Sequence, residues 1–70
     1  MMVEVFKTNV EEVELSKLLI QQLEDHFPDS QINFDMDDCD KILRVAAASV
    51  SSEKVIALLK SNGYSCEALV

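Results

Sequence analysis

The sequence predicts an α+β fold in which four antiparallel strands carry two helices on one face. Three observations predict it. Two stretches show the three-to-four-residue apolar spacing of amphipathic helices, and four show the every-second-residue alternation of strands. These stretches run strand, helix, strand, strand, helix, strand along the chain. The one proline and the one glycine fall where the two helices should stop, Pro28 after the first and Gly63 after the second.

The first strand is Met2–Lys7. Val3 and Val5 form an apolar face, and Glu4 and Phe6 a mixed one. Thr8 and Asn9 break the strand and can cap a helix, since Thr8 with Glu11 and Asn9 with Glu12 both have capping-box spacing. Glu11, Glu12 and Glu14 crowd the first turn, where the helix dipole favours negative charge. The helix should reach His26, with Leu15, Leu18, Leu19, Gln22, Leu23 and His26 along one face and Lys17, Gln21, Glu24 and Asp25 on the wet side. Phe27 closes the next turn, and Pro28 pushes it out of the helical region.

Asp29 and Ser30 turn the chain into a second strand, Gln31–Met36. Its Ile32, Phe34 and Met36 alternate with Gln31, Asn33 and Asp35. Asp37–Asp40 is the hairpin. The third strand, Lys41–Ala47, sets Leu43, Val45 and Ala47 on one side and Ile42, Arg44 and Ala46 on the other. Ser51 or Ser52 caps the second helix. Val55, Ile56, Leu58 and Leu59 make its stripe, and Lys60 suits the C-terminal dipole. Gly63 takes the left-handed position after it, and Tyr64–Val70 is the fourth strand. This order is the split βαβ, ferredoxin-like arrangement, with right-handed crossovers.

The totals bound what such a chain can do. Seventy residues allow one small domain, 1–70. At 49% hydrophobic residues the chain favours regular elements over disorder. No apolar run approaches the roughly 18 residues of a membrane span. The stretch MMVEVFKTNV lacks the basic and apolar regions of a secretory signal, so the cytoplasm is the expected compartment. Thirteen acidic against six basic residues give a net charge of −7, which repels phosphate backbones and disfavours nucleic acid. Two cysteines, Cys39 and Cys66, are too few for a disulfide scaffold.

With this order in hand, the chain resembles the heavy-metal-associated domain family of small copper and zinc chaperones and metal-pump modules. The likeness covers nearly all of the chain. It is carried by DKILRV (Asp40–Val45), by SSEKVIALLKSNGY (Ser51–Tyr64) with Gly63-Tyr64 after the helix, and by KTNV before an amphipathic helix. The family's functional motif is Cys-x-x-Cys in the turn after the first strand, where two thiolates near a helix N-terminus can hold one soft ion. Setting Leu19 and Leu23 at the family's apolar positions puts Glu12 at the first cysteine and Leu15 at the second. Neither is a soft ligand. The resemblance therefore implies the scaffold and not the metal site, and no cofactor is expected.

A relocated site is the alternative. In this topology the first turn, the hairpin and the turn into the fourth strand lie at one end of the sheet. Glu12, the Asp37–Asp40 hairpin with Cys39, and Cys66 could share a rim able to hold a cation weakly. The run DMDDCD lacks the glycine and distal glutamate of an EF-hand loop. Cys66 on a strand suits a small core position. No catalytic role is expected, because the single histidine, His26, sits at a helix end with no nucleophile paired to it in sequence.

The sheet face away from the helices is expected to carry Glu4, Phe6, Ile42, Arg44 and Leu69, with Glu4 and Arg44 paired across strands. Phe6, Ile42 and Arg44 are the candidate docking or dimer residues. Two functions follow: a non-catalytic interaction domain, monomeric or weakly dimeric, with a protein partner; or a metal-binding or metal-transfer domain with a relocated site.

Overall fold

The computed structural model describes residues 2–35 and 41–69. The elements are β1 (Met2–Thr8), α1 (Val13–His26), β2 (Gln31–Asp35), β3 (Ile42–Ala47), α2 (Ser52–Ser61) and β4 (Cys66–Leu69). They build one antiparallel sheet in the order β2-β3-β1-β4. This is the ferredoxin-like α+β arrangement that the sequence predicts. Met36 and the hairpin Asp37–Asp40, with Cys39, lie outside the described residues.

The core fills the space between the sheet and the helices. Phe6, Leu43, Val45 and Ile32 rise from the strands, Leu19 and Leu23 come from α1, and Val55 and Leu59 from α2. Each such side chain, fully buried, contributes about 1.5–3 kcal/mol relative to exposure. Val10, wholly buried in the connection between β1 and α1, pins that connection to the same core.

The register settles which face is which. Directly opposed residues in antiparallel strands point to the same side. Phe6 lies opposite Leu43 and Ala68, so it faces the helices and is fully buried. Val5 lies opposite Arg44 and Leu69, on the open face. The faces of β1 are thus the reverse of those the sequence suggests. Two valines on one face look like the buried set, but pairing with the inward Leu43 and Val45 turns Phe6 inward, and the larger side chain takes the core. The expected Glu4–Arg44 pair does not form for the same reason: Glu4 opposes Val45, one residue out of step.

Helix α1 begins later than its capping signals suggest. Thr8 is still strand, and Glu12 is the N-cap with no side-chain capping bond. Its stripe is also rotated. Ser16, Leu19 and Leu23 are buried, while Leu15, Ile20 and Phe27 pack on the core from the margins. Leu18 is 54% exposed and His26 is exposed. Gln22, expected on the apolar face, exchanges amide hydrogen bonds with Asn62 beyond α2: Asn62 Nδ2 donates to Gln22 Oε1 at 3.1 Å, and Gln22 Nε2 donates back at 3.4 Å.

Helix α2 follows its local signals. The backbone N–H of Lys54 donates to Ser51 Oγ at 3.4 Å, so Ser51 is the cap. At the other end Gly63 adopts φ 89°, its N–H bonds to Lys60 O at 3.0 Å, and the Tyr64 N–H bonds to Leu59 O at 3.0 Å. That double closure is a Schellman motif.

Candidate functional site

The three connections that the topology brings to one end of the sheet are tied there by polar bonds. Thr8 Oγ1 donates to Lys41 O at 2.7 Å, and the Thr8 backbone N–H donates to the same carbonyl at 3.2 Å. The Val10 N–H donates to Thr8 Oγ1 at 3.4 Å. Asn9 Oδ1 accepts from the Ser65 N–H at 2.9 Å, joining the β1–α1 connection to the start of β4. The residues read as caps are therefore tertiary ties. Lys41 holds a left-handed φ of 49° while offering that shared carbonyl.

In this frame Glu12 is an exposed N-cap, and Leu15, in the first turn of α1, packs against the core margin. Leu15 is hydrocarbon with a packing role, and Glu12 makes no side-chain capping bond. Cys66 is 8% exposed and belongs to the core, opposite Thr8. Burial pushes its thiol up from 9.0 to about 11, and the nearby charge of Lys60 offsets part of that rise. A thiol held so firmly in its protonated form is a poor nucleophile and a poor ligand. Among the described residues no three His, Cys, Asp or Glu side chains gather closely enough to hold an ion. The expected rim with Asp37–Asp40 and Cys39 lies outside the described residues, as above. His26 lines a shallow groove between the helices with Phe27, Lys54 and Leu58.

The sheet face away from the helices is open. Its rows can be read from the register, in strand order from β4 to β2. One row is Leu69, Val5, Arg44, Asn33. The next is Glu67, Lys7, Ile42, Asp35. Val3, Ala46 and Gln31 make a third. Val3 is 60% exposed and Leu69 41%, with Val5 half-buried between them. Arg44 is exposed on this face as expected. Ile42 also lies here, yet it is buried between its neighbours. Phe6, by contrast, is lost to the core. Val3 and Val5 are the face residues that the sequence reading missed. The signal that finds them is the inward Leu43 and Val45, which fix the register of β1.

No helix among the described residues is long and apolar enough to cross a membrane. Compared with protein-family models, curated proteins and solved structures, the chain has no match in any of the three.

Proposed function

We propose that this is a non-catalytic interaction domain, built on the heavy-metal-associated type of scaffold but without its metal site, that docks a protein partner on its open sheet face. The observation that carries the reading is the Val3–Val5–Leu69 strip, with Val3 and Leu69 exposed and Val5 half-buried, beside Arg44 on the sheet face away from the core. Apolar side chains grouped on an otherwise polar face, with an arginine beside them, have the composition of an interface centre. Hydrocarbon at Leu15 and a protonated, core-packed Cys66 support the non-metal half of the proposal. The net charge of −7 favours a partner that is not a nucleic acid. A reducing, cytoplasmic setting suits the free Cys66.

The test uses a photo-crosslinker placed at Val3 in an extract of the source cells. A specific adduct should form, and excess unlabelled protein should displace it. The V3S/L69S double variant, shown by circular dichroism to be folded, should fail to displace it. Equal competition by that variant would sink the reading.

A further inference from the structure

The two edges of the sheet differ, and the difference singles out β2. Among the described residues β2 pairs only with β3, so no strand covers its outer edge. A row of unsatisfied N–H and C=O groups is a template for one more strand. Sheets blunt such edges with short strands, mid-strand charges or prolines. The other edge, β4, has four residues, with Glu67 among them, and Lys60 of α2 lies alongside. β2 is five residues long, QINFD, with no proline, and its first four residues are uncharged. Its helix-side residues, Ile32 and Phe34, form an apolar shelf, and Phe34 is only half-buried. Its open-face residues, Gln31 and Asn33, are exposed amides able to bond a neighbouring strand's side chains.

The charge around this edge selects the occupant. Glu24 of α1 lines a groove with Ser30, Gln31, Ile32 and Asn33, and Asp35 closes the strand on the open face. Asp29 is exposed in the turn before it. A second copy of this chain would set these carboxylates against their own kind, on a molecule of charge −7. We propose that the outer edge of β2 accepts an extended basic segment of a partner protein as a fifth strand. Backbone hydrogen bonds hold the segment, its apolar residues cover Phe34 on the helix side, and its Lys or Arg side chains on the open side meet Asp35, while the Glu24 carboxylate adds to the negative field along the edge. This site is separate from the Val3–Leu69 strip and does not depend on it.

The experiment titrates the folded protein with the synthetic peptide Lys-Val-Lys-Val-Lys-Val and follows backbone amide shifts and hydrogen exchange. Shifts should centre on residues 31–35, and β2 amides should gain protection. A peptide methylated on alternate backbone nitrogens, which cannot donate to the ladder, should bind at least tenfold more weakly. The E24K/D35K variant should also lose at least tenfold, while E67K and V3S/L69S should bind like the parent. Shifts centred on β4 or the open face would overturn the proposal. So would equal binding of the methylated peptide, equal loss in E67K, or no binding at millimolar peptide. Protection of β2 amides that grows with protein concentration in the absence of peptide would show that a second copy is the occupant, and would also overturn it.

Discussion

Two junctions meet at one end of the sheet, and they are built by opposite means. Between α2 and β4 the chain closes on itself. Gly63 takes the left-handed turn, and the last helical carbonyls are met by the N–H groups of Gly63 and Tyr64. Between β1 and α1 the chain reaches outward. Thr8 is bonded to Lys41, 33 residues away, and Asn9 to Ser65, 56 residues away. The first junction is local chemistry and the second is tertiary chemistry. The same contrast explains why the β1–α1 connection is a structural tie: the side-chain oxygens of Thr8 and Asn9 are engaged, and Val10, with Leu15 in the first turn of α1, packs on the core.

The comparison breaks most visibly at Phe6, which the tertiary pairing turns inward. Phe6→Ala should cost about 3–5 kcal/mol in urea unfolding, whereas Val3→Ala, on the open face of the same strand, should stay within about 0.5 kcal/mol. Comparable losses at both positions would mean that the faces of β1 are assigned wrongly. Next comes Thr8→Val, which keeps the shape and removes the hydroxyl shared by Lys41 O and the Val10 N–H. A loss of about 1–3 kcal/mol is expected, because the buried Val10 N–H loses its partner while Lys41 O keeps only the bond from the Thr8 N–H.

Cys66 adds a pH signature to the β4 side. The folded chain holds its thiol proton more tightly than the unfolded chain does, since burial raises the thiol from 9.0 to about 11. The corresponding stability is whole below pH 9.0 and is lost as pH rises through about 11. The loss is at most about 3 kcal/mol. Urea midpoints of the parent and of Cys66→Ala, compared at pH 8 and pH 10.5, should converge at the higher pH. The smallest effect belongs to the local junction. A side chain at Gly63 meets no atom within 4 Å, so Gly63→Ala should cost only the left-handed backbone, about 1 kcal/mol.

The same contrast decides what could be read from residue order. The element order, the Ser51 cap and the Gly63 stop were legible because each signal acts within a few residues of itself. The start of α1 was not. Thr8 and Asn9 have the chemistry of caps, but their oxygens are engaged by residues that only folding brings near. The faces of β1 were not legible either, because alternation shows two faces and cannot say which one the neighbouring strand turns inward. That error moved Phe6 onto the candidate docking face and left Val3 and Val5 off it. Arg44 and Ile42 were placed on the right side because Leu43, Val45 and Ala47 make β3 unambiguous. The stripe of α1 was one step off for a related reason: Leu18 and Leu19 are chemically alike, and only the seating of Ile20, Leu23 and Phe27 on the sheet separates them.

The central proposal is that the turn after β1 carries no metal site, with Glu12 serving as the N-cap of α1 and Leu15 packing on the core. It is tested most directly by titrating the fully reduced protein with Zn(II) and with Cu(I) while following the backbone amides of residues 8–16. The account predicts no stoichiometric complex and no saturable shift at Glu12 or Leu15. One equivalent bound tightly, and lost on changing Cys39 or Cys66 to serine, would contradict it.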